Sequence, residues 1–113
     1  MISYGKQSIN QDDIDAVVDV LKSDFLTQGP KVVEFENDLA NYCEAKYAKA
    51  VNNGTAALHL AYLAIGLEQG DIVWTTPNTF VATANAALYC GATVDFVDID
   101  PKTYNLSIDY LKE

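Results

Sequence analysis

The chain contains no arginine, and this absence restricts the partners it can bind. All seven of its basic residues are lysines, against 16 acidic residues in a total of 113, which gives a formal net charge of −9 at pH 7. Nucleic acids and anionic membrane surfaces are bound through cationic side chains, so this composition argues against both partners. The excess negative charge favours solubility instead.

Cysteine and long apolar runs are also scarce. Cys43 and Cys90 are the only two cysteines, and their spacing matches no metal-binding or redox motif. The N-terminus lacks the basic and apolar regions of a signal peptide, and the sequence has no run of ~18 apolar residues to span a bilayer. We therefore expect a soluble, cytoplasmic protein with two reduced, packed thiols.

Side chains that commonly carry catalysis are few as well. His59 is the only histidine, and without a visible partner nucleophile it is better interpreted as a packing or interface residue than as a catalyst. Asp95, Asp98 and Asp100 alternate along and after one predicted strand, but no mixed Asp/His spacing accompanies them. We interpret these carboxylates as strand-end and turn residues and expect no metal site.

The N-terminal part of the chain is predicted to be helical. Asn10 is a good N-cap, and apolar residues recur at helical spacing from there to about residue 23. Pro30 suits the first turn of a second helix, which follows the loop 24–29. We therefore assign residues 1–46 to an N-terminal helical segment.

From residue 47 onward, short strands and helices alternate. The predicted elements are a strand over 47–51, a helix over 55–65, a strand over 72–76, a helix over 79–89 and a strand over 93–99. This alternation is typical of an α/β domain whose strands share one sheet, so residues 47–113 are assigned to the start of such a domain. Ser107 is a candidate N-cap of one more helix close to the last residue, so we expect a fragment that holds a single incomplete domain.

The segment VNNGTAAL, residues 51–58, joins a predicted strand to a predicted helix. In α/β domains, helix N-termini at the carboxyl ends of strands present unpaired N–H groups to anions. Here the backbone N–H groups of Gly54, Thr55 and Ala56, together with the Thr55 hydroxyl, are candidate donors to a phosphate. The alternative is that Asn53 and Gly54 only form a tight turn and Thr55 caps the helix.

A second candidate lies where the predicted strand 72–76 ends. Pro77 and Asn78 break that strand, and Phe80 begins the next helix near the same edge of the sheet. An aromatic ring at this place can stack on a flat ring whose phosphate is held at residues 54–56. The alternative is that Phe80 is a core residue, which is the commoner role of phenylalanine.

Four segments, in order along essentially the whole chain, resemble one enzyme family. They are LTQGPKVVEFE at 26–36, VNNGTAALHLA at 51–61, TTPNTFVATANAALYCGATVDFVDID at 75–100 and TYNLS at 103–107. These segments resemble the N-terminal third of the DegT/DnrJ/EryC1/StrS sugar aminotransferases. The resemblance implies an α/β fold, namely the N-terminal part of the large domain of the type I, aspartate aminotransferase-like fold with its three αβα layers. It also implies pyridoxal 5′-phosphate (PLP) as the cofactor.

Position by position, the resemblance implies roles for individual residues. Gly54, Thr55 and Ala56 correspond to the residues that hold the cofactor phosphate, and Phe80 corresponds to the side chain stacked on the pyridine ring. The positions that correspond to substrate-contacting residues are Tyr4, Asp24, Phe25, Leu26, Thr27 and Asn53. Many relatives have Ser-Ala-Thr or Ser-Gly-Thr at 53–55, so the backbone donors match the family better than the Asn53 side chain does.

The resemblance further implies the reaction. The members most similar to this sequence transfer an amino group from glutamate to C4 of a UDP-4-keto-6-deoxy-N-acetylhexosamine, and full-length members are homodimers. Their Schiff-base lysine corresponds to a position beyond residue 113, so we assign no catalytic residue here and expect the chain alone to be inactive. Two alternatives stay open, a PLP-dependent sugar 3-dehydratase of the same family and a non-catalytic α/β module that binds a phosphate or nucleotide.

Overall fold

The computed structural model describes residues 5–112 of the chain, which divides into two compact units, Met1–Ala50 and Val51–Glu113. The helices and strands of the described range are α1 (Gln11–Lys22), α2 (Pro30–Tyr42), α3 (Gly54–Ala64), β1 (Ile72–Thr75), α4 (Ala82–Tyr89), β2 (Thr93–Phe96) and α5 (Ile108–Leu111). This order confirms the predicted α/β class. Across residues 5–112, no helix combines the length and the apolar character that crossing a membrane requires.

The first unit contains α1 and α2, which begin where the sequence predicts. The Asp13 N–H donates to Asn10 Oδ1 at 3.1 Å, and the Asn10 N–H donates to the Asp13 carboxylate at 2.9 Å. This capping box satisfies two N–H groups that a helix start otherwise leaves open. α2 begins at Pro30, whose missing N–H costs nothing in the first helical turn.

The second unit is built around α4. β1 and β2 pair in parallel, with Ile72 opposite Thr93 and Thr75 opposite Phe96. α4 connects these two strands and packs against both of them and against α3. Small side chains allow this close packing, since the buried apolar residues of the unit are Ala82, Ala86, Ala87, Ala92 and Val97.

The strand predicted over 47–51 is wrong for the described part of the chain, where these residues join no sheet. The Ala50 N–H donates to the Glu36 carboxylate at 3.0 Å, and Lys49 Nζ lies 2.8 Å from the second oxygen of that carboxylate. A strand needs a neighbouring backbone as its hydrogen-bond partner. In this segment a side chain takes that role, so apolar residues alone did not produce a strand.

Three helices end with a residue in the left-handed conformation. These residues are Gly66 after α3 (φ +80°), Gly91 after α4 (φ +82°) and Glu44 after α2 (φ +51°). In each case the next N–H donates to the carbonyl five residues earlier, in the pairs Leu67 to Tyr62, Ala92 to Ala87 and Ala45 to Ala40. This is the Schellman arrangement. Glycine adopts the left-handed conformation without strain, whereas the side chain of Glu44 opposes it.

The substitution Glu44→Gly is expected to stabilise the first unit by about 0.5–1 kcal/mol, because it removes the side chain that opposes the left-handed backbone. Urea unfolding followed by circular dichroism measures the free energy of unfolding. Gly66→Ala is the matched control. An added Cβ there meets no atom within 4 Å, so the variant isolates backbone strain and should lower stability. A lower unfolding midpoint for Glu44→Gly would contradict this account.

A second prediction concerns the pH dependence of the Glu36 contacts. The hydrogen bond from Lys49, followed by that from the Ala50 N–H, holds the pKa of Glu36 below its ordinary value of 4.5. The unfolded chain therefore binds this proton more readily than the folded chain does. The stabilisation is complete above about pH 4.5 and is lost as the pH falls through the lower pKa of the folded state.

The substitution Glu36→Gln tests this pH dependence. We expect it to be less stable than the wild type at neutral pH and the difference to shrink as the pH falls below about 4.5. Urea unfolding at a series of pH values measures the difference. Glu34→Gln is the control on the same helix, because Glu34 is 55% exposed in its pair with Lys31 whereas Glu36 is 13% exposed. A difference that stays constant from neutral to acidic pH counts against the role of Glu36.

Candidate functional site

Asn53 determines where α3 begins. Its backbone is extended (φ −166°, ψ 169°), and its Oδ1 accepts a hydrogen bond from the Ala56 N–H at 2.8 Å. The Asn53 carbonyl accepts the first helical hydrogen bond, from the Ala57 N–H at 3.2 Å. Asn53 is therefore the N-cap, and the alternative that gave this role to Thr55 is wrong.

Two backbone donors at this helix start have no partner within the described residues. They are the N–H groups of Gly54 and Thr55, which make none of the hydrogen bonds found there. The space beside Gly54 is open, since an added Cβ would meet no atom within 4 Å. Unpaired N–H groups at the positive end of a helix bind anions. The open N–H groups of Gly54 and Thr55 fit an anion such as the phosphate of PLP, while the N–H of Ala56, which was predicted as a third donor, donates to Asn53.

Phe80 lies in the loop between β1 and α4, and it is 76% exposed. None of the described residues covers its ring, so within this part of the chain Phe80 does not belong to the core. The Thr83 N–H donates to the Phe80 carbonyl at 3.0 Å, and the hydroxyls of Thr79 and Thr83 are 3.1 Å apart. The Tyr62 hydroxyl, on α3, lies 3.5 Å from the Thr83 carbonyl, so the first turn of α4 also contacts α3.

The residues predicted to contact the substrate fall in separate parts of the chain. Tyr4 lies outside the described residues. The loop between α1 and α2, in the first unit, contains Asp24, Phe25, Leu26 and Thr27. Phe25 and Leu26 line a cleft of about 200 Å³ within that unit. Asn53 belongs to the second unit, where it caps α3.

Other candidate side chains have local structural roles. The His59 ring packs edge-on against Tyr89, with the ring centroids 5.5 Å apart, which agrees with a packing role. The Asp100 carboxylate accepts hydrogen bonds from the N–H groups of Lys102 and Thr103, and these bonds hold its pKa below the ordinary 3.8. Among the described residues, no group of three potential ligands lies close enough to hold a metal ion.

The two cysteines differ from their predicted environment. Both are free thiols, as predicted, but Cys43 is exposed and Cys90 is half-buried. The expectation of packed thiols is therefore wrong for Cys43, which lies at the C-cap of α2. Burial of cysteine is a statistical preference, and none of the described residues covers Cys43.

Thr79 and Thr83 were not predicted to have a role in the site. The two threonines flank Phe80 at a spacing of four residues, which was the available signal, although α4 begins only at Ala82. Glu36 was also missed. Its partners are 13 and 14 residues away in the chain, and no local pattern predicts such a contact.

A model of the DegT/DnrJ/EryC1/StrS aminotransferase family matches residues 7–113 of the chain. The UDP-4-amino-4,6-dideoxy-N-acetyl-beta-L-altrosamine transaminase of Campylobacter jejuni (strain 81-176) is 54% identical over 99 residues, which cover 88% of this chain and 26% of that protein. The GDP-perosamine synthase of Caulobacter vibrioides is 42% identical over 106 residues, which cover 93% of this chain and 29% of that protein. The chain thus spans about a quarter of the length of the curated relatives it matches.

Solved structures give the same result for the fold. Spr1654 from Streptococcus pneumoniae, assigned as a sugar aminotransferase and solved in its PLP form, matches with a TM-score of 0.91 and 32% identity over 98% of this chain and 28% of that one. Helicobacter pylori PseC, an aminotransferase involved in the biosynthesis of pseudoaminic acid, matches with a TM-score of 0.87 and 34% identity. The match covers 97% of this chain and 30% of that one. These matches confirm the predicted fold, the N-terminal part of a PLP-dependent aminotransferase.

Three features therefore agree: the order of helices and strands, the open N–H groups at the start of α3, and the family match over nearly the whole chain. The chain belongs to the DegT/DnrJ/EryC1/StrS aminotransferase family of PLP-dependent enzymes.

Proposed function

We propose that this chain holds the phosphate and the ring of PLP in an enzyme that transfers an amino group from glutamate to C4 of a UDP-4-keto-6-deoxy-N-acetylhexosamine. The observation that most directly supports the phosphate contact is the pair of N–H groups at Gly54 and Thr55, which have no partner among the described residues. In the same proposal, the full-length enzyme is a cytoplasmic homodimer.

The phosphate is held mainly by backbone groups. The N–H groups of Gly54 and Thr55 donate to its oxygens, and the Thr55 hydroxyl is a further donor. Asn53 acts indirectly, since it occupies the Ala56 N–H and so fixes the first turn of α3. Hydrogen bonds to a charged acceptor contribute about 1.5–3 kcal/mol each, so two or three donors can bind a phosphate without a cationic side chain.

The ring of the cofactor is held by Phe80. Aromatic pairs contribute about 0.5–1.5 kcal/mol beyond the burial of their area, and the exposed ring of Phe80 is accessible for such a contact. When bound, PLP supplies the aldehyde carbon that exchanges the amino group and the conjugated ring that withdraws electrons from it. We assign the proton transfers to none of the seven lysines of this chain, because none lies in a segment that resembles the family's lysine motif.

The choice of a UDP-linked sugar is supported by the Campylobacter relative, whose name states a UDP-linked amino sugar. A GDP-linked sugar is the competing choice, since the less similar Caulobacter relative is a GDP-perosamine synthase. In this proposal the loop 24–27 contacts the substrate. The 3-dehydratase alternative retains the same cofactor contacts and differs in the fate of the sugar.

The donor role of Gly54 is tested by Gly54→Pro in the full-length enzyme. Proline is well tolerated at the first position of a helix, and the extended backbone of Asn53 is the conformation that a following proline requires. The substitution therefore removes one N–H while α3 persists. We expect the dissociation constant of PLP, measured by titration of its visible absorbance, to rise at least about tenfold.

Gly54→Ala is the matched control for this experiment. It retains the N–H, its Cβ meets no protein atom within 4 Å, and it should bind PLP nearly as the wild type does. The far-ultraviolet circular dichroism of both variants should match the wild type, which shows that α3 is intact. If Gly54→Pro binds PLP as tightly as Gly54→Ala, the N–H of Gly54 is not a phosphate donor.

The reaction is tested by incubating the full-length enzyme with PLP, glutamate and a UDP-4-keto-6-deoxy-N-acetylhexosamine. We expect 2-oxoglutarate and an amino sugar in equal amounts, with nitrogen at C4 by NMR. For a GDP-linked 4-keto-6-deoxy sugar, we expect kcat/KM to be at least about tenfold lower, because the nucleotide contacts differ. A preference for the GDP sugar would overturn the substrate choice, and loss of the C3 oxygen without gain of nitrogen would establish the dehydratase.

A further inference from the structure

Thr83 makes two contacts with the loop that contains Phe80. Its N–H donates to the carbonyl of Phe80 at 3.0 Å. Its hydroxyl lies 3.1 Å from the hydroxyl of Thr79, the residue immediately before Phe80. One residue of α4 is therefore linked both to the peptide unit that follows the Phe80 Cα and to the side chain of the residue that precedes it.

Thr83 is itself part of a well-packed region. It follows the buried Ala82 in the first turn of α4, and α4 packs against β1, β2 and α3. The Tyr62 hydroxyl of α3 lies 3.5 Å from the Thr83 carbonyl. The loop is thus attached to the core of the second unit, although Phe80 itself is 76% exposed.

An exposed ring depends on its backbone for its orientation. Side-chain rotamers follow the local φ and ψ angles, and the described residues offer Phe80 little packing to select among them. Stacking between two rings is sensitive to their offset and separation. A ring that binds a planar ligand from a loop therefore needs a backbone that is already held in place.

We propose that Thr83, through the hydroxyl pair with Thr79, is a positioning residue that sets the orientation of the Phe80 ring against the planar ring of the cofactor. This inference rests on the proposed function, and it assigns no contact between either threonine and the cofactor. The two hydroxyls act as one unit, because each has the other as its partner.

Removing either hydroxyl without changing side-chain shape tests the inference in the full-length PLP enzyme. Thr79→Val and Thr83→Val each remove one hydroxyl and leave the bond from the residue 83 N–H to the Phe80 carbonyl. We expect the dissociation constant of PLP to rise about threefold to tenfold in each, which corresponds to one hydrogen bond. The visible circular dichroism of bound PLP should weaken equally in both variants, because the ring is less well oriented.

Three further variants separate positioning from a general effect on the fold. The double variant Thr79→Val/Thr83→Val should resemble either single variant, since the pair is lost in all three. Thr83→Ser, which retains the hydroxyl, should restore the wild-type dichroism. Thr93→Val is the matched control on β2, where the Thr93 hydroxyl makes no hydrogen bond among the described residues, and it should resemble the wild type.

The outcomes distinguish this inference from the function on which it rests. A wild-type enzyme that binds no PLP overturns both. A wild type that binds PLP, with unchanged affinity and dichroism in Thr79→Val and Thr83→Val, overturns the positioning role alone. Effects that add in the double variant, or a lower melting temperature without a change in the dichroism, also overturn it.

Discussion

The hydrogen bond from the Ala56 N–H to Asn53 Oδ1 is the constraint on which the candidate site depends. It fixes the first residue of α3 as Gly54, and so it decides which backbone groups the helix start leaves open. If Thr55 were the cap, the first helical N–H groups would belong to Ala56 and Ala57. With Asn53 as the cap, they belong to Gly54 and Thr55. One side-chain amide therefore selects the donors available to a phosphate.

The second half of the site depends on α4 in a different way. Here the helix supplies a fixed support rather than open donors, because its alanines pack closely in the core. Thr83 links α4 to the preceding loop, because its N–H donates to the Phe80 carbonyl and its hydroxyl pairs with that of Thr79. Phe80 can then remain exposed and still have a defined backbone. The turn that begins α3 and the loop that contains Phe80 thus have separate supports within one compact unit.

The features that the sequence predicts correctly are those with local causes. The N-cap at Asn10 and the start of α2 at Pro30 each depend on a few neighbouring residues. The errors concern non-local contacts. In the segment 47–51, which was predicted as a strand, the Ala50 N–H donates to the Glu36 carboxylate and not to a neighbouring strand. The cap of α3 was ambiguous because asparagine and threonine both cap helices well.

The charge of the chain affects where an anion can bind. With a net charge of −9, an anionic ligand meets a repulsive field, although charges farther away than about 8 Å are largely screened at physiological ionic strength. An anion at a helix start is therefore affected mainly by the charges close to it, and these differ among the helices. α1 has Asp12 and Asp13 in its first turn, which oppose the binding of an anion there, whereas α3 has no acidic residue in its first turn. The positive end of α3 is therefore not neutralised by its own side chains, and an acidic chain without arginine retains a place for a phosphate.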